Sequence, residues 1–363
     1  MAKRILIAGG GTGGHIFPAI AIANALKKED SELEILFVGA SGKMEMEKVP
    51  QAGYRIKGLD IAGFNRSSLI KNIGLPFKLL KSFFQVRNII NAFKPDAAVG
   101  VGGYSSFPVL RFAQLKGIPT FIHESNSFAG KSNILLGKKA NKVFVASDGM
   151  EKFFPPAKIV ITGNPLRPSI ANVAKLSKSE ALQFFGLKEG KTTVLAVGGS
   201  LGARSINEAI AGSLDLFLKH NLQLIWQTGK GDAASWKALA AGKEGVWVGD
   251  FITGMEWGYA AADMVISRAG AMAVAELCAV KKPVVFVPYP FAAEDHQTAN
   301  ARNLVDKGAA VMVPDSEVKE KLVPLVLELV GEEGKRVELT QNIARQAVSD
   351  ADSYIAREIL NSI

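Results

Sequence analysis

Residues 5–15 read Ile5-Leu6-Ile7-Ala8-Gly9-Gly10-Gly11-Thr12-Gly13-Gly14-His15. The apolar run 5–8 is too short for a core helix and reads as a buried strand. The glycines that follow let the backbone turn tightly and approach a ligand closely. Residues 16–28 then show helical apolar spacing. A strand, a glycine turn and a helix N-terminus form an anion site, because free N–H groups and the positive end of the helix dipole point at the ligand. His15 is the one titratable side chain in the turn. A base beside a phosphate cradle points to group transfer rather than binding alone.

Gly9, Gly11 and Gly14 also satisfy G-x-G-x-x-G, the loop of dinucleotide-binding folds. That fingerprint needs an acidic residue at the end of the second strand to hold a ribose. The second strand is expected over 34–38, and it runs into Gly39-Ala40-Ser41-Gly42 with no carboxylate there. Glu32 and Glu34 fall at the strand's start. A dehydrogenase is disfavoured on this ground.

Short apolar strands are expected at 5–8, 35–38, 97–101, 120–123, 143–146 and 159–162, with helical spacing between them. This alternation is that of a parallel sheet with helices on both faces. Gly163-Asn164-Pro165-Leu166-Arg167-Pro168 ends regular structure. The plan then restarts: strand 193–197, then Gly198-Gly199-Ser200-Leu201-Gly202-Ala203-Arg204, then a helix from Ser205. Further strands are expected at 222–227, 246–248, 264–267 and 284–287. The chain therefore reads as an α/β protein of two Rossmann-like domains, 1–162 and 163–340. The helical stretch 341–363 is expected to pack back onto the first. Ligands of open parallel sheets bind beyond the carboxyl ends of the strands. Two such sheets facing each other place both glycine turns at one cleft.

At 363 residues each half is long enough for its own core. The apolar run of the first residues stops at Gly9, too short for a signal peptide, and no uncharged apolar segment is long enough to span a bilayer. Cys278 is the single cysteine, so no internal disulfide forms, and it reads as a core residue. The net charge of +9 calls for an anionic partner. No nucleic-acid module is recognisable. Between residues 61 and 95 there is no Asp or Glu, while Arg66, Lys71, Lys78, Lys81, Arg87 and Lys94 alternate with Phe64, Leu75, Phe77, Phe84 and other apolar groups. This composition fits a membrane-surface segment and equally an amphipathic helix with a solvated basic face.

In the second half, Ser267-Arg268-Ala269-Gly270-Ala271 follows a strand and opens a helix, an arrangement suited to a diphosphate. Glu276, further along that helix among apolar neighbours, can accept hydrogen bonds from both hydroxyls of a ribose, or can be an ordinary helix carboxylate. Glu294-Asp295-His296-Gln297 follows another strand and can reach a sugar. Asp295 there also reads as an N-cap, and His296 as a loop or cap residue. No His or Cys has metal-ligand spacing. In the first half, Gly102-Gly103-Tyr104 and His123-Glu124-Ser125-Asn126 each follow a strand. His123 reads as a core histidine before a site residue.

The stretches 9–19, 102–104, 123–126, 163–167, 198–204, 267–271 and 294–297 occur in the order and spacing of the MurG family. The chain resembles that family over nearly its whole length. Ser125 departs from it, standing where many members have Gln. The resemblance implies a GT-B fold and an inverting glycosyltransferase that moves N-acetylglucosamine from its UDP donor to the 4-hydroxyl of the muramoyl sugar of lipid I. The product is lipid II for peptidoglycan synthesis, a role tied to cell shape and division. It implies no cofactor and no metal. By motif match it assigns donor contacts to Thr12, Gly13, Gly14, Asn126, Arg167, Ser200, Ile252 through its backbone, Gln297 and, on the ribose, Glu276, with Asn207 a further candidate near the diphosphate. Gly10, Gly11, Tyr104 and Glu124 fall on the acceptor side, with the acceptor's diphosphate at the first glycine turn. His15 is the candidate base and can instead orient the acceptor. A lipid-linked acceptor makes Phe64, Leu75, Phe77, Lys78, Lys81 and Phe84 a peripheral patch for an anionic membrane, expected at the cytoplasmic face of the bacterial plasma membrane, with other cell-wall and division proteins as further partners. A 2-epimerase acting on the same UDP-sugar leaves that basic apolar stretch unexplained. An idle scaffold leaves the intact glycine turns, His15 and Glu276 unexplained.

Overall fold

The computed structural model describes residues 2–62, 75–199 and 201–363, and the side chains of Leu75, Pro76 and Ala171 lie outside the description as well. The chain forms two compact units, Met1–Leu166 with Ser349–Ile363, and Arg167–Val348.

Among the described residues the first unit holds one parallel sheet of seven strands: β1 (Arg4–Ala8), β2 (Glu34–Ala40), β3 (Arg55–Leu59), β4 (Ala97–Gly100), β5 (Thr120–Glu124), β6 (Lys142–Val145) and β7 (Ile159–Ile161). Their order is β3-β2-β1-β4-β5-β6-β7. The second unit's sheet contains β8 (Thr193–Val197), β9 (Gln223–Gln227), β10 (Val246–Gly249), β11 (Met264–Ser267), β12 (Val284–Phe286) and β13 (Val311–Met312), in the order β10-β9-β8-β11-β12-β13. In each sheet the order reverses beside the first strand, between β1 and β4 and between β8 and β11. Such switch points are where doubly wound sheets bind ligands.

The apolar runs of the sequence follow from two-sided burial. Along β1, Ile5 and Ile7 enter the core on one face of the sheet, while Leu6 and Ala8 enter the core on the other. β3 has no such run, because it is an edge strand whose Arg55 and Lys57 are exposed, and β13 spans two residues. Neither carries a legible apolar signal, and both lie outside the strands expected from sequence.

The helix Leu75–Phe93 buries Val86 and Ile90 against the first unit's core. Its N-terminal half turns outward, with Phe77 75% and Leu80 and Phe84 each 58% exposed. The helical stretch expected at 341–363 divides in two. Glu333–Ala344 belongs to the second unit, and Asp350, at φ 58°, separates it from Ala351–Leu360 in the first. Ile355, Ala356 and Ile359 of that last helix are fully buried in the core beside helix Gly13–Glu29. Lys142 pairs with Glu358 at 2.6 Å, and Lys3 Nζ donates to the Ile363 carbonyl at 2.9 Å. Ile355→Ala removes buried methyl groups from this contact. It should destabilise the first unit by about 2–5 kcal/mol, read as a lower urea midpoint for that unit with the second unit's transition unmoved.

Candidate active site

The first unit gathers its candidate residues at the carboxyl ends of β1, β4 and β5. The chain leaves β1 through Gly10 and Gly11, at φ 151° and 86°, and enters helix Gly13–Glu29 with Thr12 at the N-cap. His15 sits in the first turn. Its Nδ1 lies 3.0 Å from the Gly10 carbonyl and 3.3 Å from Thr12 Oγ1. A carbonyl only accepts, so Nδ1 carries the proton and Nε2 is the basic nitrogen. The loop after β4 closes on the other side of the ring: a Cβ on Gly102 would lie 2.8 Å from His15 Nε2.

The backbone N–H groups of this turn are engaged within the protein. Gly9 donates to Val38 O at 3.2 Å, Gly10 to Gly102 O at 3.3 Å, and Gly11 to Glu45 Oε2 at 2.9 Å. Gly10 and Gly11, expected on the acceptor side, therefore do not offer their N–H groups to a diphosphate. The donors suited to an anion are those of the helix's first turn, Gly13 and Gly14, which lack intrahelical acceptors by geometry. Glu45 also corrects the reading of the second strand. Its Oε1 accepts the Ala40 N–H at 2.9 Å, so a carboxylate does stand at the end of β2. It arrives from helix Glu45–Gln51, five residues beyond the strand. At 1% exposure, with both oxygens accepting backbone N–H groups, it has no access to a ribose.

Glu124, expected on the acceptor side, is likewise turned inward. Its Oε1 accepts from Asn126 N and Nδ2 at 3.1 and 3.3 Å, and its Oε2 from Gly130 N and Asn133 Nδ2 at 3.1 and 2.8 Å. It shapes the loop that carries Asn126. Tyr104 stands half exposed on the loop after β4. His123 is fully buried on β5, 3.5 Å from Ser125 Oγ. Burial pushes it down to about 4, with the nearby charge of His15 acting in the same direction and the Gly163 backbone and Asn164 side chain opposing.

In the second unit Arg167 and Glu276, singled out separately, meet. Arg167 Nε and Nη2 donate to Glu276 Oε1 at 2.9 and 2.7 Å, and the Tyr259 hydroxyl donates to Oε2 at 3.0 Å. Burial raises the Glu276 carboxyl, while Arg167 and Tyr259 pull it back. Tyr259 itself is held well above its ordinary range, first by burial and then by the adjacent carboxylate. Tyr259 was not foreseen, because nothing local marks a tyrosine on one helix as the partner of a glutamate on another.

Ile252 donates its N–H to Gln227 Oε1 at 3.2 Å. The same Gln227, at the end of β9, donates Nε2 to the Gly199 carbonyl at 2.9 Å and so ties the second glycine turn to the Ile252 loop. Gln297 Oε1 accepts the Tyr289 N–H at 2.9 Å. Asp295 stands at the N-cap position of helix His296–Val305, as expected, yet its side chain makes no cap bond to the backbone. Its Oδ1 instead accepts the Thr298 hydroxyl at 2.7 Å, and His296 Nδ1 lies 2.6 Å from Ala293 O. Asn207 is a structural residue: buried, it accepts from Trp226 Nε1 at 2.9 Å and donates to Thr228 O at 2.8 Å, so it is not open to a diphosphate. Ser200 lies outside the described residues. Burial pushes the Cys278 thiol up to about 12, which makes it inert.

Two doubly wound parallel units, each with a glycine turn and helix N-terminus at its switch point, are the architecture of the GT-B glycosyltransferases. The MurG crystal structure from Acinetobacter baumannii shares it with a TM-score of 0.80 at 29% identity, covering 99% of each chain. The Glycosyltransferase family 28 N-terminal domain matches residues 5–145 and the Glycosyltransferase family 28 C-terminal domain matches 193–355. Among relatives, the proteins named UDP-N-acetylglucosamine--N-acetylmuramyl-(pentapeptide) pyrophosphoryl-undecaprenol N-acetylglucosamine transferase are similar over the full length. That of Phocaeicola vulgatus is 52% identical over 98% of this chain and 95% of its own. That of Parabacteroides distasonis is 52% identical over 99% and 98%. The chain belongs to this family of N-acetylglucosaminyltransferases.

The depressed His123 fixes a pH dependence. The unfolded chain takes up the imidazole proton near the ordinary 6.5, and the folded chain only near 4. Below 6.5 the unfolded state binds more protons, so stability falls as pH drops through that window, by about 3 kcal/mol in total. His123→Gln should lack this component, which denaturant titrations at pH 7 and pH 4.5 will read directly.

Proposed function

We propose that this chain transfers N-acetylglucosamine from UDP-N-acetylglucosamine to the 4-hydroxyl of the muramoyl sugar of undecaprenyl-diphosphate-linked N-acetylmuramoyl pentapeptide, converting lipid I to lipid II. The observation that carries the reading is the 52% identity to transferases of that name across both units. The residues at the switch points supply the chemistry it needs. His15 Nε2 takes the proton of the acceptor hydroxyl as its oxygen attacks the anomeric carbon, while the bond from that carbon to the UDP oxygen breaks. The N–H groups of Gly13 and Gly14, with Thr12 and Asn126 beside them, face the sugar and acceptor phosphates.

In the second unit, Glu276 Oε2 accepts one bond from Tyr259 and keeps a lone pair for a ribose hydroxyl. Arg167 holds the carboxylate ready. The Ile252 carbonyl meets the uracil, and Gln297, with Ser200, meets the donor sugar and diphosphate. Charge on departing UDP is stabilised by helix N-termini such as that of Ala271–Val280. A single displacement inverts the anomeric centre.

A lipid-linked acceptor requires a membrane surface. No described helix is long and apolar enough to cross one. The outward half of helix Leu75–Phe93 offers Phe77, Leu80 and Phe84 with Lys78, a composition suited to peripheral docking on anionic lipid. Lys81 of the same patch pairs with Asp60 at 2.7 Å, which reduces its share. Phe64 lies outside the described residues, as does the Leu75 side chain.

Transfer of radiolabelled N-acetylglucosamine from its UDP donor to a short-chain lipid I analogue tests the reading. Wild type should label the lipid. His15→Ala should lose at least about 100-fold in kcat with UDP binding retained, and Glu276→Ala should chiefly raise the donor KM. A folded wild type that binds UDP and labels nothing overturns the assignment. Separately, Lys78→Glu should weaken binding to anionic liposomes about ten-fold, and unchanged binding would remove the docking patch.

A further inference from the structure

The peptide unit between Gly10 and Gly11 stands between two side chains. Its N–H donates to Glu45 Oε2 at 2.9 Å, and its carbonyl accepts from His15 Nδ1 at 3.0 Å. In a trans peptide these groups point to opposite sides, so Glu45 and His15 are joined through one amide. We propose that Glu45 is a positioning residue for the transfer reaction, acting on His15 through the Gly10–Gly11 peptide. The carboxylate polarises the amide, the carbonyl becomes a stronger acceptor, and the Nδ1–H of His15 is held more firmly. That fixes the tautomer with Nε2 as the base and stabilises the imidazolium formed when Nε2 takes the acceptor proton. The proton ends on Nε2, and neither the peptide nor Glu45 is protonated in the step.

Several features hold this arrangement in place. Glu45 is buried although its helix lies at the surface, and its other oxygen is anchored by the Ala40 N–H at 2.9 Å. A Cβ on Gly10 would strike the Glu45 carboxylate, and one on Gly103 would strike the Gly10 carbonyl. Both positions must stay glycine for the amide to hold its orientation. His123 on β5 is electrostatically coupled to His15, and the Glu45 carboxylate stands across the peptide from it. Burial holds His123 at about 4, so it is neutral near pH 7 and adds no positive charge beside His15 there.

The inference rests on the transferase reading and on His15 as its base, and the test separates the two. Long-range ¹H–¹⁵N spectra of the full-length protein, with His15→Ala for assignment, give the His15 tautomer and titration without substrate. The expected wild-type form is Nδ1–H. Glu45→Gln should lower the His15 titration by about one unit and move the acidic limb of kcat/KM down by the same amount while lowering the plateau. A merely structural Glu45 would lower the plateau and leave the limb and the titration in place, which overturns the proposal. So does an Nε2–H tautomer in wild type, a result that needs no variant to fold. A shifted titration with an unshifted kinetic limb keeps the coupling between Glu45 and His15 and removes His15 as the base.

Discussion

A chain leaving a buried parallel strand must satisfy its backbone N–H and C=O groups before the next helix can take them over. Both units meet this constraint with a glycine turn pinned by one buried polar side chain. In the first unit the pin is Glu45, which accepts from Ala40 and Gly11. In the second it is Gln227, which donates to Gly199 and accepts from Ile252. The difference follows from what each turn presents. Glu45 meets two N–H groups, that of Gly11 in the turn and that of Ala40 at the end of β2, so a group with two acceptor oxygens fits. Gln227 meets the Gly199 carbonyl of the turn and the Ile252 N–H of the loop after β10, so an amide fits. With these turns fixed, β1 leads into the helix Gly13–Glu29 and β8 into the helix Arg204–Gly212.

The same economy of acceptors runs through the carboxylates. Glu45, Glu124 and Glu276 are all buried, and each is surrounded by donors from the protein. Glu45 and Glu124 are acceptors for backbone and Asn side chains, and they shape loops. Glu276 accepts from Arg167 and Tyr259, which lets a buried carboxylate exist beside the proposed site for an anionic nucleotide. An isolated carboxylate there would repel UDP, whereas one paired with a guanidinium presents directed lone pairs with little net charge. His123 stays neutral within the core, and His15 donates its Nδ1–H to the Gly10 carbonyl, with Nε2 as its basic nitrogen.

What was legible in the sequence is what depends on neighbours along the chain. The run 5–8 before Gly9 and the run 193–197 before Gly198 marked both switch points, because strand, turn and helix N-terminus are contiguous. The parallel class followed from runs buried on both faces. Pairings across elements were not legible. Glu45 was missed because its carboxylate reaches back from the next helix to the end of β2, a place where the sequence showed only Gly39-Ala40-Ser41-Gly42. Tyr259 and Gln227 were missed for the same reason, since each acts on a residue far along the chain. Asn207 was a candidate near the diphosphate by motif match, yet its hydrogen bonds with Trp226 and Thr228 set its role. Edge strand β3 escaped because one exposed face replaces the apolar run with Arg55 and Lys57.

The central claim is a single displacement at the anomeric carbon, with His15 Nε2 receiving the acceptor proton and UDP leaving from the opposite face. The anomeric configuration of the transferred sugar tests it most directly. Proton NMR of the lipid product made from the α-linked UDP donor should show N-acetylglucosamine joined to the muramoyl 4-oxygen by a β-linkage. An α-linkage would mean that the configuration is retained, and it would contradict both the displacement and the role given to His15.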